Sequence, residues 1–159
     1  MDILTQKATE VCRFLRDNNM TVATAESCTG GMIAEFLTSV SGASEVFGYG
    51  FVTYSNEAKM KLLGVKKETL KSFGAVSEET VIEMAEGALR ASDADAAVSV
   101  SGIAGPTGGT KEKPVGLVWV GLSRKGKETK TYKFIFDGPR DSVRRQTVLN
   151  VYDLILNIR

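Results

Sequence analysis

Thr21-Val-Ala-Thr-Ala-Glu-Ser-Cys-Thr-Gly-Gly31 is a short β-branched run that ends in a cluster of small hydroxyl, thiol and glycine residues. An apolar helical pattern begins at once behind it, with Ile33, Phe36, Leu37 and Val40 spaced i, i+3, i+4, i+7. Strand, glycine-rich turn and helix in that order leave free backbone N–H groups and a positive helix end facing whatever lies beyond the strand. Ser27, Cys28 and Thr29 are presented at that point. The same hydroxyl residues also suit a plain helix N-cap, which needs no ligand.

Upstream, Ile3, Leu4, Ala8, Val11, Cys12 and Leu15 share one face of an amphipathic helix over residues 3 to 18, closed by Asn18-Asn19. Cys12 on that face reads as inert packing. Downstream, Ser41-Gly-Ala-Ser44 is a loop, and Val46 to Tyr54 is a second strand, rich in β-branched and aromatic residues. Gly48 and Gly50 within it mark a bulge or a close backbone approach.

From Tyr54 to Gly64 the chain reads as a short helix, with Ser55 or Asn56 as N-cap and Gly64 as its stop. At about 100° per residue, Leu62 and Leu63 define an inward face near whose centre Lys59 projects. Lys61 falls on the solvent side. An inward lysine near a positive helix end has its charged form disfavoured twice over, as a base working near neutral pH requires. The ordinary alternative is a surface lysine whose stem covers apolar ground.

Residues 65 to 76 read as loop with some helical turn. Ser77 then caps a helix of about 78 to 90, with Val76 placed to staple against Val81. Ala96 to Gly102 is a third, buried-type strand opening into Gly102-Ile-Ala-Gly-Pro-Thr-Gly-Gly109. That loop matches neither the P-loop nor the dinucleotide fingerprint, yet its glycines suit a backbone that a ligand approaches closely. Stiffened by Ile103 and Pro106, it is more than a flexible connector. Val115 to Leu122 and Thr129 to Phe136 form a hairpin. Its second strand puts Tyr132, Phe134 and Phe136 on one face and Thr131 and Lys133 on the other.

Asp137-Gly-Pro139 starts the last helix, whose apolar face runs through Val143, Val148, Val151, Leu154, Ile155 and Ile158. Arg140 and Arg144 point along that face near the helix start, with Arg145 at its edge. An anion such as phosphate would match their forked donors, and a buried Asp or Glu would match them equally well.

With 159 residues the chain is one domain, residues 1 to 159, and its 25% charged content is ordinary for a soluble globular protein. A formal net charge of +1 and the lack of a basic stripe argue against nucleic acid as a partner. No apolar run approaches membrane-spanning length and the start lacks a signal peptide's pattern, so no membrane partner is expected. Two cysteines without metal-ligand spacing point to a reducing, cytoplasmic setting. The chain has no histidine. A Ser-His-Asp triad, a Cys-His pair and a histidine-bound zinc are therefore excluded, and a hydrolytic base here must be Lys, Tyr, Asp, Glu or a terminal amine.

The order α-β-α-β-α-α-β-β-β-α predicts a three-layer α/β/α sandwich, and the hairpin makes its sheet mixed. Together AESCTGG (25 to 31), GFVTYSNEAK (50 to 59), GAVSE (74 to 78), SGIAGPTGG (101 to 109), KPVGLVW (113 to 119) and the Arg140-Asp-x-x-Arg-Arg145 helix start closely resemble the CinA carboxy-terminal domain family. Stand-alone members of that family are nicotinamide-nucleotide amidases. The likeness covers nearly the whole chain, and Thr107 is a small departure where some members carry Asp.

The resemblance implies hydrolysis of the carboxamide of nicotinamide mononucleotide to nicotinate mononucleotide and ammonia, in pyridine-nucleotide recycling. It implies a mixed, mostly parallel five-stranded sheet, no metal, no cofactor and a homodimer. Many relatives carry an additional amino-terminal domain resembling molybdopterin-binding proteins. This sequence shows none of it, so no pyrophosphatase activity from that domain is expected.

The family's nucleophile maps onto Ser27, its lysine onto Lys59 and its tyrosine onto Tyr54. Lys59, helped by Tyr54, is then expected to take the Ser27 proton. Backbone amides of Cys28, Thr29, Gly30 and Gly31, or of Gly102 to Gly105, are expected to hold the oxyanion. Ser101 and the glycines after it would line the ring or ribose, and Arg140 or Arg144 would hold the 5′-phosphate. Cys28 is the rival nucleophile. The alternative from another class is a non-catalytic nucleotide-binding or regulatory module of the competence/damage-inducible type.

Overall fold

The computed structural model describes residues 1–158. Its elements are α1 (Ile3–Asp17), β1 (Val22–Glu26), α2 (Met32–Thr38), β2 (Phe47–Val52), α3 (Asn56–Leu63), α4 (Lys67–Phe73), α5 (Glu78–Ser92), β3 (Ala96–Gly102), β4 (Leu117–Arg124), β5 (Lys130–Ile135) and α6 (Arg140–Leu156). A short 3₁₀ turn at Ala43–Glu45 interrupts the loop expected before β2.

The five strands form one sheet in the order β2-β1-β3-β4-β5. β1 runs parallel to both β2 and β3, whereas β4 is antiparallel to its neighbours β3 and β5. Four strands therefore point one way and β4 alone opposes them, so the sheet is mixed and mostly parallel as expected. β1 and β3 are buried along almost their whole length, while β2 and β5 lie at the edges and are partly exposed.

Helices cover both faces, which gives the three layers. On one face Val22, Val98, Val100, Val118 and Val120 pack beneath α1, α2 and α6, in a core that includes Leu4, Val11, Leu15, Leu37, Val148 and Ile155. The second face is built from smaller residues. There Ala23, Ala25 and Ala97 meet Leu63, Val81, Met84 and Ala88 of α3 and α5. Apolar burial at roughly 25 cal/mol per Å² makes both layers stabilising, and the alanines allow the second to approach closely. Gly87 of α5 serves the same end, because a Cβ there would collide with the Leu63 carbonyl at the end of α3. That contact fixes α3, and with it Lys59, against the sheet.

Two local expectations are corrected. Leu62, read as inward, is half-exposed, whereas Leu63 and Lys59 are buried. Residues four apart share a helix face, and α3 is short enough that its inner face is only that wide, which leaves Leu62 at its edge. Residues 67–73, within the stretch read as loop with some helical turn, form a two-turn helix, α4, which has no side-chain cap of its own. Glu83 of α5 supplies one instead, accepting from the Lys66 amide at 2.8 Å and the Thr69 hydroxyl at 2.6 Å.

Candidate active site

The chain leaves β1 for α2 on one face and leaves β3 through the 103–116 loop. These neighbouring strands thus release the chain at their carboxyl ends in different directions, where open α/β sheets form crevices. A cleft of about 370 Å³ lies there, within the range of small-molecule sites. Ser27, Cys28, Tyr54, Lys59, Ser101 and Arg140 line it together with backbone of the Gly102–Gly108 loop.

At its floor the Lys59 Nζ donates to Ser27 Oγ at 2.9 Å. Lys59 also donates to the Thr53 carbonyl at 2.8 Å and the Tyr54 carbonyl at 3.4 Å. Its side chain is fully buried although, among the described residues, no carboxylate pairs with it. Burial disfavours the ammonium, so the pKa is lowered to about 8. Helix geometry explains the placement. Ser55 caps α3 by accepting from the Ala58 amide, and Lys59 follows one turn in, four residues before buried Leu63.

Ser27 does not cap α2. Gly31, in the left-handed region at φ 105°, stands at that cap without a side-chain hydrogen bond. Glu26 takes the capping role from the strand end. Its carboxylate accepts from the Ile33 amide at 2.9 Å, the Ala34 amide at 3.1 Å and the Thr29 hydroxyl at 2.6 Å. Glu26 is buried, and burial raises its pKa against the opposing pull of these donors. Relieved of capping, the Ser27 hydroxyl faces Lys59. The sequence AESCTGG carries Glu26 in plain view. A carboxylate a few residues ahead of an uncapped, glycine-started helix is the signal that would have revealed its role.

Cys28 lines the cleft, but its thiol is buried and desolvation pushes its pKa up to about 12. A thiol held protonated is a poor nucleophile. Ser101 is buried in the cleft wall at the end of β3.

Tyr54 is 63% exposed at the rim. Its hydroxyl accepts from Arg140 Nη2 at 3.0 Å, and among the described residues it makes no hydrogen bond to Ser27 or Lys59. What Tyr54 offers Lys59 is its backbone carbonyl. Arg140 donates in addition to the Gly105 carbonyl at 2.8 Å, so it ties the rim to the second glycine-rich loop.

Thr29, Gly30, Gly31 and Arg144, all read as substrate-binding, do not line the cleft. Among the described residues Arg144 pairs with no acidic side chain. Its Nε donates to the Cys28 carbonyl at 3.1 Å and its Nη2 to the Thr29 carbonyl at 2.9 Å. The acidic partner weighed for it is corrected in this way, because turn carbonyls within reach take the fork instead. Arg145, at the edge, pairs with Asp2. Ile103, Ala104 and Gly108 of the expected loop complete the lining together with Ala75, Val76 and Thr107, which had not been singled out as binding residues. Apolar or loop residues carry no chemical signature in a sequence.

Fold and cleft define a small three-layer α/β protein with a buried amine set against a serine hydroxyl at the carboxyl ends of its sheet. The CinA C-terminal domain family matches residues 4–158, and the chain belongs to that family. Among its relatives, a CinA-like protein of Endomicrobium trichonymphae is 59% identical over 90% of this chain, which covers only 33% of that longer protein. The chain thus spans about a third of the length of such curated relatives. A nicotinamide-nucleotide amidohydrolase PncC of Shigella flexneri is 54% identical over 90% of this chain and 87% of its own length. The crystal structure of competence/damage inducible protein CihA from Agrobacterium tumefaciens superposes with a TM-score of 0.94 at 42% identity, covering 99% of this chain and all of that one.

Proposed function

We propose that the chain is an amidase that hydrolyses the carboxamide of nicotinamide mononucleotide to nicotinate mononucleotide and ammonia. The observation that carries this reading is the buried Lys59 Nζ at 2.9 Å from Ser27 Oγ. The amidohydrolase name of the Shigella flexneri relative, which this chain covers over 87% of its length, supplies the substrate.

Neutral Lys59 takes the proton of Ser27 as Oγ attacks the amide carbon, in the manner of other Ser-Lys hydrolases. The carbonyl oxygen becomes an oxyanion held by backbone N–H groups. That of Cys28, which lines the cleft, donates to no other described residue, unlike those of Ser27, Gly30 and Met32, which are committed to carbonyls. A good oxyanion donor lowers the barrier by roughly 3 kcal/mol. The Lys59 ammonium then gives its proton to the departing nitrogen, and ammonia leaves an ester on Ser27. Lys59 next deprotonates a water that attacks this ester, and the acid is released as Ser27 regains its proton.

Arg140 stands at the rim with donors beyond those it spends on Tyr54 and Gly105, which favours it over Arg144 for the 5′-phosphate. Ser101 and the loop after it would face the ring or ribose. No described helix is long and apolar enough to cross a membrane. Ammonia release from nicotinamide mononucleotide, nicotinamide riboside and free nicotinamide tests the reading. Turnover of the nucleotide above the other two is expected. Binding without ammonia release would instead mark a regulatory module.

A further inference from the structure

Ser101 stands beside Ser27 on the neighbouring strand. β1 and β3 run parallel with Glu26 opposite Val100, and the Ser27 amide donates to the Val100 carbonyl at 3.1 Å, so Ser27 and Ser101 are the next pair along. Val100 packs into the core beneath α1, α2 and α6. Strand alternation turns Ser99 and Ser101 to the other face, the one that carries α3 and Lys59. Adjacent strands lie about 4.8 Å apart, which puts both serine side chains within reach of one small functional group.

The hydroxyls of Ser99 and Ser101 differ in what they hold. Ser99 donates to the Val81 carbonyl of α5 at 2.6 Å. Ser101 is only 1% exposed, yet its hydroxyl makes no hydrogen bond to any described residue. Burying a hydroxyl without a partner costs free energy. Thr24 and Thr53 also have unpartnered hydroxyls, but those are sealed in the interior, whereas Ser101 lines the cleft. A buried hydroxyl that opens onto a cleft finds its partner in what the cleft binds.

For attack, Ser27 Oγ must come within about 3 Å of the carboxamide carbon. Oxygen and nitrogen then lie to either side of that carbon. The uncommitted Cys28 amide on the turn suits the oxygen, and Ser101 on the β3 side is left for the nitrogen. We propose that Ser101 is a catalytic residue whose hydroxyl accepts a hydrogen bond from the carboxamide nitrogen of the substrate. The inference rests on the amidase reading above and narrows the place of Ser101 from ring or ribose to the reacting group. Once Ser27 has added, the nitrogen is no longer conjugated and carries a directed lone pair. An acceptor on one of its N–H bonds fixes its rotation and so aims that lone pair. The Lys59 ammonium protonates it, the C–N bond breaks with its electron pair leaving on ammonia, and the carbonyl re-forms as the ester on Ser27.

Ser101→Ala tests this with two substrates, nicotinamide mononucleotide and the methyl ester of nicotinate mononucleotide. Both give nicotinate mononucleotide, which is the product measured, and the ester has no N–H to offer. For the amide, kcat/KM should fall by about 10-fold, the upper end of what one neutral hydrogen bond supplies. For the ester it should stay within about twofold. Ser101→Cys, whose thiol is a weak acceptor, should show the same split and carries the test should the alanine variant not fold. Equal losses on both substrates would overturn the proposal and assign Ser101 to the carbonyl oxygen or the ring. Unchanged kcat/KM on both would overturn it outright. In either case a wild-type protein that still releases ammonia leaves the amidase reading standing. A wild-type protein that turns over neither substrate would overturn both.

Discussion

Glu26 and Ser27 are consecutive, yet their side chains leave the end of β1 on opposite faces of the sheet. Glu26 closes the start of α2 and Ser27 meets Lys59 of α3. Strand alternation is the cause, and its effect is a division of labour in which the carboxylate takes the capping donors and the hydroxyl stays free for the amine. Glu26→Gln replaces a two-oxygen acceptor by one oxygen and an unwanted donor in a buried site. A loss of roughly 2 to 4 kcal/mol is expected in urea unfolding. An unchanged midpoint would show that Glu26 is not the cap of α2.

Ser27→Ala removes the attacking oxygen and leaves Lys59 with its two carbonyl partners. Ammonia release should fall by at least ~10³-fold while nucleotide binding, read by calorimetry, stays within a few-fold. Retained turnover would dismiss Ser27 as the nucleophile.

Lys59 sets the pH dependence. The base must be neutral, so kcat/KM should rise with pH and level off above about 8, where the buried amine has lost its proton. Stability follows the same sign. The amine folds at a cost that is full below about pH 8 and fades as pH climbs towards the ordinary lysine value of 10.5. Unfolding free energy therefore increases across that window. In Lys59→Met both the activity and this slope should vanish. Paired pH titrations of the two proteins check it.

Cys28→Ala keeps a small side chain in the cleft wall. With its thiol buried and protonated far above neutral pH, its removal should change kcat by less than about threefold. Brief treatment with iodoacetamide at pH 7.5 should likewise leave activity intact. A fall to the level of Ser27→Ala would instead make the thiol the nucleophile.

Arg140→Met takes away the forked cation at the rim. KM for the nucleotide should rise by about 10- to 100-fold, in keeping with the loss of hydrogen bonds to a charged group, while the riboside is little affected. Equal losses on both substrates would assign Arg140 to holding the Gly105 loop.

Much of this protein could be read along the chain. The 3.6-residue spacing in α1 and α6, the Ser55 and Ser77 caps and the Gly64 stop are local signals, and each element sits where those signals put it. Missing histidine and an inward lysine on α3 also narrowed the chemistry before any packing was known. Less legible were α4 and the start of α2, whose caps come from Glu83 and Glu26 outside the helices they close. Arg144 illustrates the same limit. Its place near the inner face of α6 is a matter of periodicity, but whether a guanidinium there meets phosphate, carboxylate or carbonyl depends on what the other layer brings within 3 Å.

By itself the sequence determined periodicities, caps, stops and the set of titratable groups, because those depend on neighbours a few residues away. Only the tertiary structure decided which groups touch. It set the Lys59 amine against Ser27 across 32 positions and the Arg144 fork against Cys28 across 116. Hydrogen bonds and desolvation act over a few ångströms of space, and chain distance does not enter into them.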